Sequence, residues 1–141
     1  MKRVLITTDF TYHSKNAVKV ALELFNDSQK PCHFVLMNTY LVPEVDPELI
    51  ISANDKFKKI SKAGLELERE EALKLNKNPL TTFETISQLG SLTNVTLQTI
   101  EKFNINLVVM GKNGGKHVDL VAALLKQQGC PLLITYAIKS K

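Results

Sequence analysis

The chain has 141 residues, 44% of them hydrophobic and 23% charged, the balance of one ordinary globular domain that needs neither disulfide nor metal to build its core. Its net charge is +4, yet Lys56, Lys58, Lys59 and Lys62 are interrupted by Phe57 and Ile60, which makes them a solvated helix face and not a nucleic-acid arm. No apolar run approaches the ~20 residues of a membrane span, and Val4-Leu5-Ile6 after Met1-Lys2-Arg3 is too short for a secretory leader; a cytoplasmic protein with no nucleic-acid or membrane partner is expected.

Taken in chain order, Lys2–Thr8 reads as a buried strand around the run Val4-Leu5-Ile6. Ser14 is the expected N-cap of a helix from Lys15 to Phe25, with Ala17, Val20, Ala21, Leu24 and Phe25 as its inner face. After Pro31, the segment His33–Thr39 reads as a second strand, apolar on both faces. Asp46 and Pro47 suit the cap and first position of a long helix reaching Asn76. Its expected apolar stripe is Ile50, Phe57, Ile60, Leu67 and Leu75, and Gly64 marks a kink or break.

Thr81–Ser87 alternates and is more polar, as an edge strand is. Gly90 turns the chain, and Ser91 or Thr93 caps a helix through Phe103 with Val95, Leu97 and Ile100 apolar. Leu107–Met110 is the fourth strand. It empties into Gly111-Lys112-Asn113-Gly114-Gly115, a glycine cluster that suits close approach to a ligand or to another backbone. Val118–Gln128 is a short helix with Val121, Leu124 and Leu125 inward, stopped by Gly129. Pro131–Tyr136 is the fifth strand, and Lys139-Ser140-Lys141 a frayed tail.

Strand and helix thus alternate five times across one domain, residues 1–141. Such alternation implies an α/β fold, a doubly wound parallel sheet with helices on both faces. Ligands of these sheets bind at the carboxyl ends of strands, where the strand order reverses. The ends on offer are Thr7-Thr8-Asp9-Phe10, Thr39-Tyr40 and Met110-Gly111. His13, His33 and His117 have no metal-ligand spacing, and Cys32 and Cys130 are too few and too distant for a zinc site or redox pair.

Three of these segments together resemble the universal stress protein family over nearly the whole chain. They are Val4-Leu5-Ile6-Thr7-Thr8-Asp9-Phe10, Asn106-Leu107-Val108-Val109-Met110-Gly111, and Gly129-Cys130-Pro131-Leu132-Leu133-Ile134. The resemblance implies a five-stranded parallel sheet of order 3-2-1-4-5, often dimeric through the last strand. Cys32 and Cys130 would then lie roughly 14 Å apart, too far for a bridge. The apolar edge Leu132-Leu133-Ile134 is the expected homodimer surface.

Many members of that family bind ATP through Gly-x2-Gly-x9-Gly-[Ser/Thr]. Gly111 and Gly114 match its first half, while Thr8, Asp9, Thr39 and Met110 fall at family nucleotide-contact positions. The second half fails. No Gly-[Ser/Thr] stands between Gly115 and Cys130, the loop is short, and Val118-Asp119 takes its place. Asp119 at a helix N-terminus would satisfy the helix amides itself and oppose a phosphate. The expected function is therefore a non-enzymatic stress-response module without ATP binding of the usual kind, without cofactor, acting through dimer and surface contacts. The alternative is an adenine-nucleotide sensor, for ATP or AMP, built on Asp9 and the Gly111–Gly114 loop. Asp9 as a phosphoacceptor is disfavoured, because no acidic pair precedes it and no lysine ends the fifth strand. Asp9 could equally close an Asx turn within its own loop.

Overall fold

A computed structural model describes residues 1–112, 118–126 and 130–137; the side chains at positions 118, 119 and 125 also fall outside the described part. The strands are β1 (Lys2–Thr7), β2 (Cys32–Tyr40), β3 (Thr81–Leu89), β4 (Leu107–Gly111) and β5 (Leu132–Thr135). The helices are α1 (Tyr12–Phe25), α2 (Ile50–Leu75), α3 (Leu92–Phe103) and α4 (Val118–Lys126). The sheet has five strands in the order β3-β2-β1-β4-β5, and every pairing in it is parallel. The expected topology is thus the observed one, with β1 central: Val4 is in register with Phe34 on one side and Leu107 on the other.

Strand side chains alternate between two faces, and the core divides accordingly. Val4, Ile6, Phe34 and Leu36 point to one face, where Ala17, Val18, Ala21 and Leu22 of α1 and Leu65 and Ala72 of α2 cover them. Leu5, Val35, Met37, Val108 and Met110 point to the other, under Val95 of α3 and Leu120 and Leu124 of α4. The central strands read as continuous apolar runs because both of their faces are covered. β3 lies at an edge, as its polar alternation predicts.

Six helix expectations need correction. α1 begins at Tyr12, its N-cap is Thr11, and Ser14 is a buried residue of its first turn. Its buried line is Ala17, Val18, Ala21 and Leu22, while Leu24 is exposed. Pro47 opens a separate 3-10 turn, Pro47–Leu49 capped at Asp46, and the α-helix proper starts at Ile50. In α2 the inward line is Ser61, Leu65, Glu68 and Ala72, whereas Ile50, Ile60, Leu67 and Leu75 are exposed. Gly64 neither kinks nor breaks this helix; a Cβ on it would come within 2.6 Å of the Phe10 ring, so its bare backbone makes the bed for that ring. Among the described side chains of α4, Leu124 is buried as expected, joined by Leu120, while Val121 is only partly buried and Leu125 lies outside the described part.

Ser91 is the cap of α3, its side chain accepting from the Asn94 amide. Gly129, expected as the stop of α4, lies outside the described residues, as does the tail at 139–141. No helix among the described residues is long and apolar enough to cross a membrane.

Both cysteines are free thiols; Cys32 lies on β2 and Cys130 just before β5, strands that are not neighbours in the sheet. Burial raises the Cys32 thiol to about 11 and also pushes Cys130 upward. Since only the thiolate reacts, titration in denaturant without reductant is expected to find two thiols. In the folded protein near neutral pH, Cys32 should remain protected. Finding one thiol or none, or rapid native modification of Cys32, would contradict this packing.

Candidate functional site

The carboxyl ends of the central strands converge on a cleft of about 410 Å³, within the usual range for small-molecule sites. Thr7, Thr8 and Asp9 line it from the end of β1, Thr39, Tyr40 and Leu41 from β2, Gly90 and Leu92 from the β3–α3 turn, and Gly111 from β4, with Ser14 of α1 behind. Its walls come from both sides of β1, where the connections leave for opposite faces. This is the switch point of an open α/β sheet.

The turn after β1 is tightly determined. The Thr8 amide donates to Met37 O at 2.8 Å, and Asn38 Nδ2 donates to Thr8 O at 2.8 Å. The Thr8 hydroxyl donates to Glu68 Oε1 at 2.8 Å and accepts the Phe10 amide at 3.0 Å. Phe10 then adopts φ 67°, a left-handed conformation that a bulky residue holds only when its surroundings over-determine it. Its ring on Gly64 supplies the packing side of that constraint.

Asp9 organises the start of α1. Its Oδ1 accepts from the Thr11 amide at 3.1 Å, the Thr11 hydroxyl at 2.5 Å and the Ser14 hydroxyl at 2.6 Å. Ser14 Oγ in turn accepts the Asp9 amide at 3.1 Å. The carboxylate therefore closes an Asx turn and serves a helix N-terminus, where negative charge is favoured. Asp9 is nonetheless exposed and lines the cleft. Both roles weighed from the sequence are compatible with its position.

Glu68 lies directly behind Thr8, only 4% exposed. Its Oε2 has no hydrogen-bond partner among the described residues. Burial pushes its carboxyl above the usual glutamate range, against the pull of the Thr8 hydrogen bond and of Lys15, with Glu71 and Asp9 adding to the rise.

Of the residues singled out in the sequence, Thr8, Asp9, Thr39 and Gly111 come together around the cleft. Met110 does not: it is fully buried, in the core under α3 and α4. The strand alternation turns it away from the opening. Gly114 lies outside the described residues, and so do the rest of the expected glycine loop at 113–115 and the side chain of Asp119. Tyr40 lines the cleft beside Thr39, at the strand end the sequence offered, whereas sequence reasoning missed Ser14, Leu41, Gly90 and Leu92 as lining residues. Gly90 could have been found from its turn role, since its φ of 142° excludes most other residues.

Gly111 has its own structural reason. A Cβ there would lie 2.2 Å from the His13 carbonyl oxygen, so β4 passes α1 backbone to backbone and needs glycine whether or not a ligand binds. Among the described residues no cluster of His, Cys, Asp or Glu could hold a metal ion.

A family model described as "Universal stress protein family" matches residues 1–135. Among solved structures, a universal stress protein family member from Burkholderia pseudomallei superposes with TM-score 0.72 at 18% identity, covering 96% of each chain. An Arabidopsis thaliana universal stress protein family protein, solved with AMP bound, gives TM-score 0.66 at 17% identity over 98% of this chain and 93% of that one. A universal stress protein in complex with cAMP gives 0.64 at 16% identity, over 96% of each. No match is found among curated proteins.

Replacing Gly111 with Ala is expected to destabilise the fold by about 1–3 kcal/mol, the cost of overpacking against a backbone that cannot give way easily. Chemical denaturation measures this directly. An unchanged midpoint would mean that β4 and α1 are not in the contact described.

Proposed function

The chain belongs to the universal stress protein family, and on that premise we propose that its cleft binds an adenine nucleoside or its monophosphate, without catalysis. The observation that carries the reading is that the switch-point cleft is open among the described residues. A ligand-free module would have this space closed by its own side chains. Instead Tyr40, Leu41 and Leu92 offer apolar surface suited to a flat base, and Thr8, Ser14, Thr39 and Asp9 offer the few polar groups that fix orientation. Two structurally similar proteins were solved with AMP and with cAMP, which gives the ligand class its support.

Charge argues against a triphosphate. Asp9 is already a carboxylate at the opening, and the stretch between Gly115 and Cys130 lacks the Gly-[Ser/Thr] step that would supply hydroxyl and amide donors to outer phosphates. Among the described residues no arrangement of nucleophile, base and orienting group stands at the cleft, which supports reading it as a binding site.

The second part of the proposal is assembly. β5 pairs with β4 and has no other strand partner among the described residues, yet it is apolar, and Leu132, Leu133 and Ile134 are only half-buried. An uncharged edge invites a second copy. The proposed unit of function is a homodimer joined at these edges, with the stress-response role carried by its surface.

Calorimetry with adenosine, AMP and magnesium-ATP tests the site. Adenosine or AMP should bind, and ATP should bind roughly ten-fold more weakly or worse, a difference of about 1.4 kcal/mol. Failure of adenosine and AMP to bind at any practical concentration would overturn the nucleotide reading; ATP as the tightest of the three would overturn the charge argument. For the assembly, light scattering at tens of micromolar should give the mass of two chains, and a clean monomer would refute the β5 edge as its interface.

A further inference from the structure

Glu68 does not belong to the cleft lining, yet it controls a residue that does. It is carried on α2, on the far side of Thr8 from the opening, and is 4% exposed. One oxygen accepts a hydrogen bond from the Thr8 hydroxyl at 2.8 Å, and the other has no hydrogen-bond partner among the described residues. A buried carboxylate satisfied on only one side is costly to keep ionised. The same Thr8 oxygen accepts the Phe10 amide, so one hydroxyl couples α2, the end of β1 and the strained turn that carries Asp9.

The geometry points to Glu68 as a proton-dependent positioning residue for the cleft: ionised, it commits the Thr8 hydroxyl to α2; protonated, it lets that hydroxyl turn toward the cleft and removes a negative charge from behind the wall. The chemistry is a single proton taken from solvent. As an acid, the Glu68 carboxyl can donate to Thr8 Oγ, whose own hydrogen is then available elsewhere, while its lone pairs still receive the Phe10 amide. The charged groups facing Glu68 are Lys15 on α1, Glu71 on its own helix and Asp9 in the turn. Lys19 and Asn16 share the adjoining α1–α2 groove. Lys15 favours the ion, whereas Glu71 and Asp9 oppose it, and burial is the largest effect, placing the transition above the ordinary glutamate range.

The sign follows from linkage. The folded protein holds this proton more tightly than the unfolded chain, so Glu68 favours the fold most at low pH. That contribution is lost as pH rises from the unfolded value toward the folded one. For a ligand, the consequence is selectivity by charge. An anion should bind better when Glu68 is neutral, and a neutral nucleoside should be nearly indifferent. In its ligand-binding part the inference rests on the nucleotide reading of the cleft; in its proton coupling it does not.

Two measurements separate the parts. In ligand-free, nitrogen-15-labelled protein, the Phe10 amide should titrate with an apparent pKa above that of an ordinary glutamate. The titration should disappear in Glu68→Gln, which keeps the size and can still accept from Thr8, and should weaken in Thr8→Val. It should persist in Asp9→Asn. A flat Phe10 amide, or a titration abolished by Asp9→Asn and untouched by Glu68→Gln, overturns the coupling. With cAMP, which keeps one negative charge throughout, affinity should fall roughly ten-fold between pH about 5 and pH about 8, while adenosine affinity stays level. Glu68→Gln should abolish the cAMP slope and bind cAMP more tightly at the higher pH. Equal slopes for cAMP and adenosine, or a slope that survives in Glu68→Gln, overturn the charge selectivity. If neither ligand binds, the nucleotide reading fails, the charge selectivity fails with it, and the Phe10 titration alone decides for or against Glu68 as the group that sets the turn.

Discussion

Three residues, Thr8-Asp9-Phe10, hold the end of the central strand to everything around it. A main-chain bond ties Thr8 to Met37 of β2, and the Asn38 side-chain amide donates to the Thr8 carbonyl. Its hydroxyl ties the turn to α2 through Glu68. Asp9 ties it to the first turn of α1, and the Phe10 ring lies against Gly64 of α2. A doubly wound sheet must let the chain leave the central strand without closing the crevice at the switch point. Here that departure is made by a residue at positive φ, and each of its contacts offsets part of the strain.

The same turn explains why the inner line of α2 looks wrong for an amphipathic helix. Its largest apolar residues face outward and its buried positions are Ser61, Leu65, Glu68 and Ala72. A helix that has to meet a polar strand end, and to receive an aromatic ring on a glycine, keeps one leucine, Leu65, in its inner line and fills the rest of it with small or polar side chains. Small side chains set the distance, and one acidic side chain answers the Thr8 hydroxyl. The partly polar β3, with Ser87 donating to Ser61 at 2.6 Å, extends the same hydrogen-bonded seam between α2 and the sheet.

Electrostatics divide the cleft from its support. Asp9 stands at the opening and Glu68 stands behind it, so an anion entering the site meets one carboxylate directly and a second through the wall. Burial pushes the Glu68 carboxyl above the usual glutamate range, because desolvation falls on the charged form alone. Charge selectivity of this kind needs no movement of the backbone. It needs only a hydroxyl that can exchange its donor role for an acceptor role, which threonine can do.

The strand–helix alternation, the apolar central strands and the polar edge strand were legible in the sequence, because period and polarity report directly on which faces a segment buries. So were Thr8, Asp9, Thr39 and Gly111 as residues at strand ends, since the topology alone sends those ends to one place. The sequence could not show that Met110 turns into the core, because a strand end reveals its parity only when its register with β1 and β5 is fixed. Nor could it show that Gly111 answers the His13 carbonyl, or that Glu68 reaches Thr8 across 60 residues of chain. Local pattern determines elements and their order. Which side chain meets which across the core is decided by close packing between distant segments, and that information exists only once the sheet and its helices are assembled.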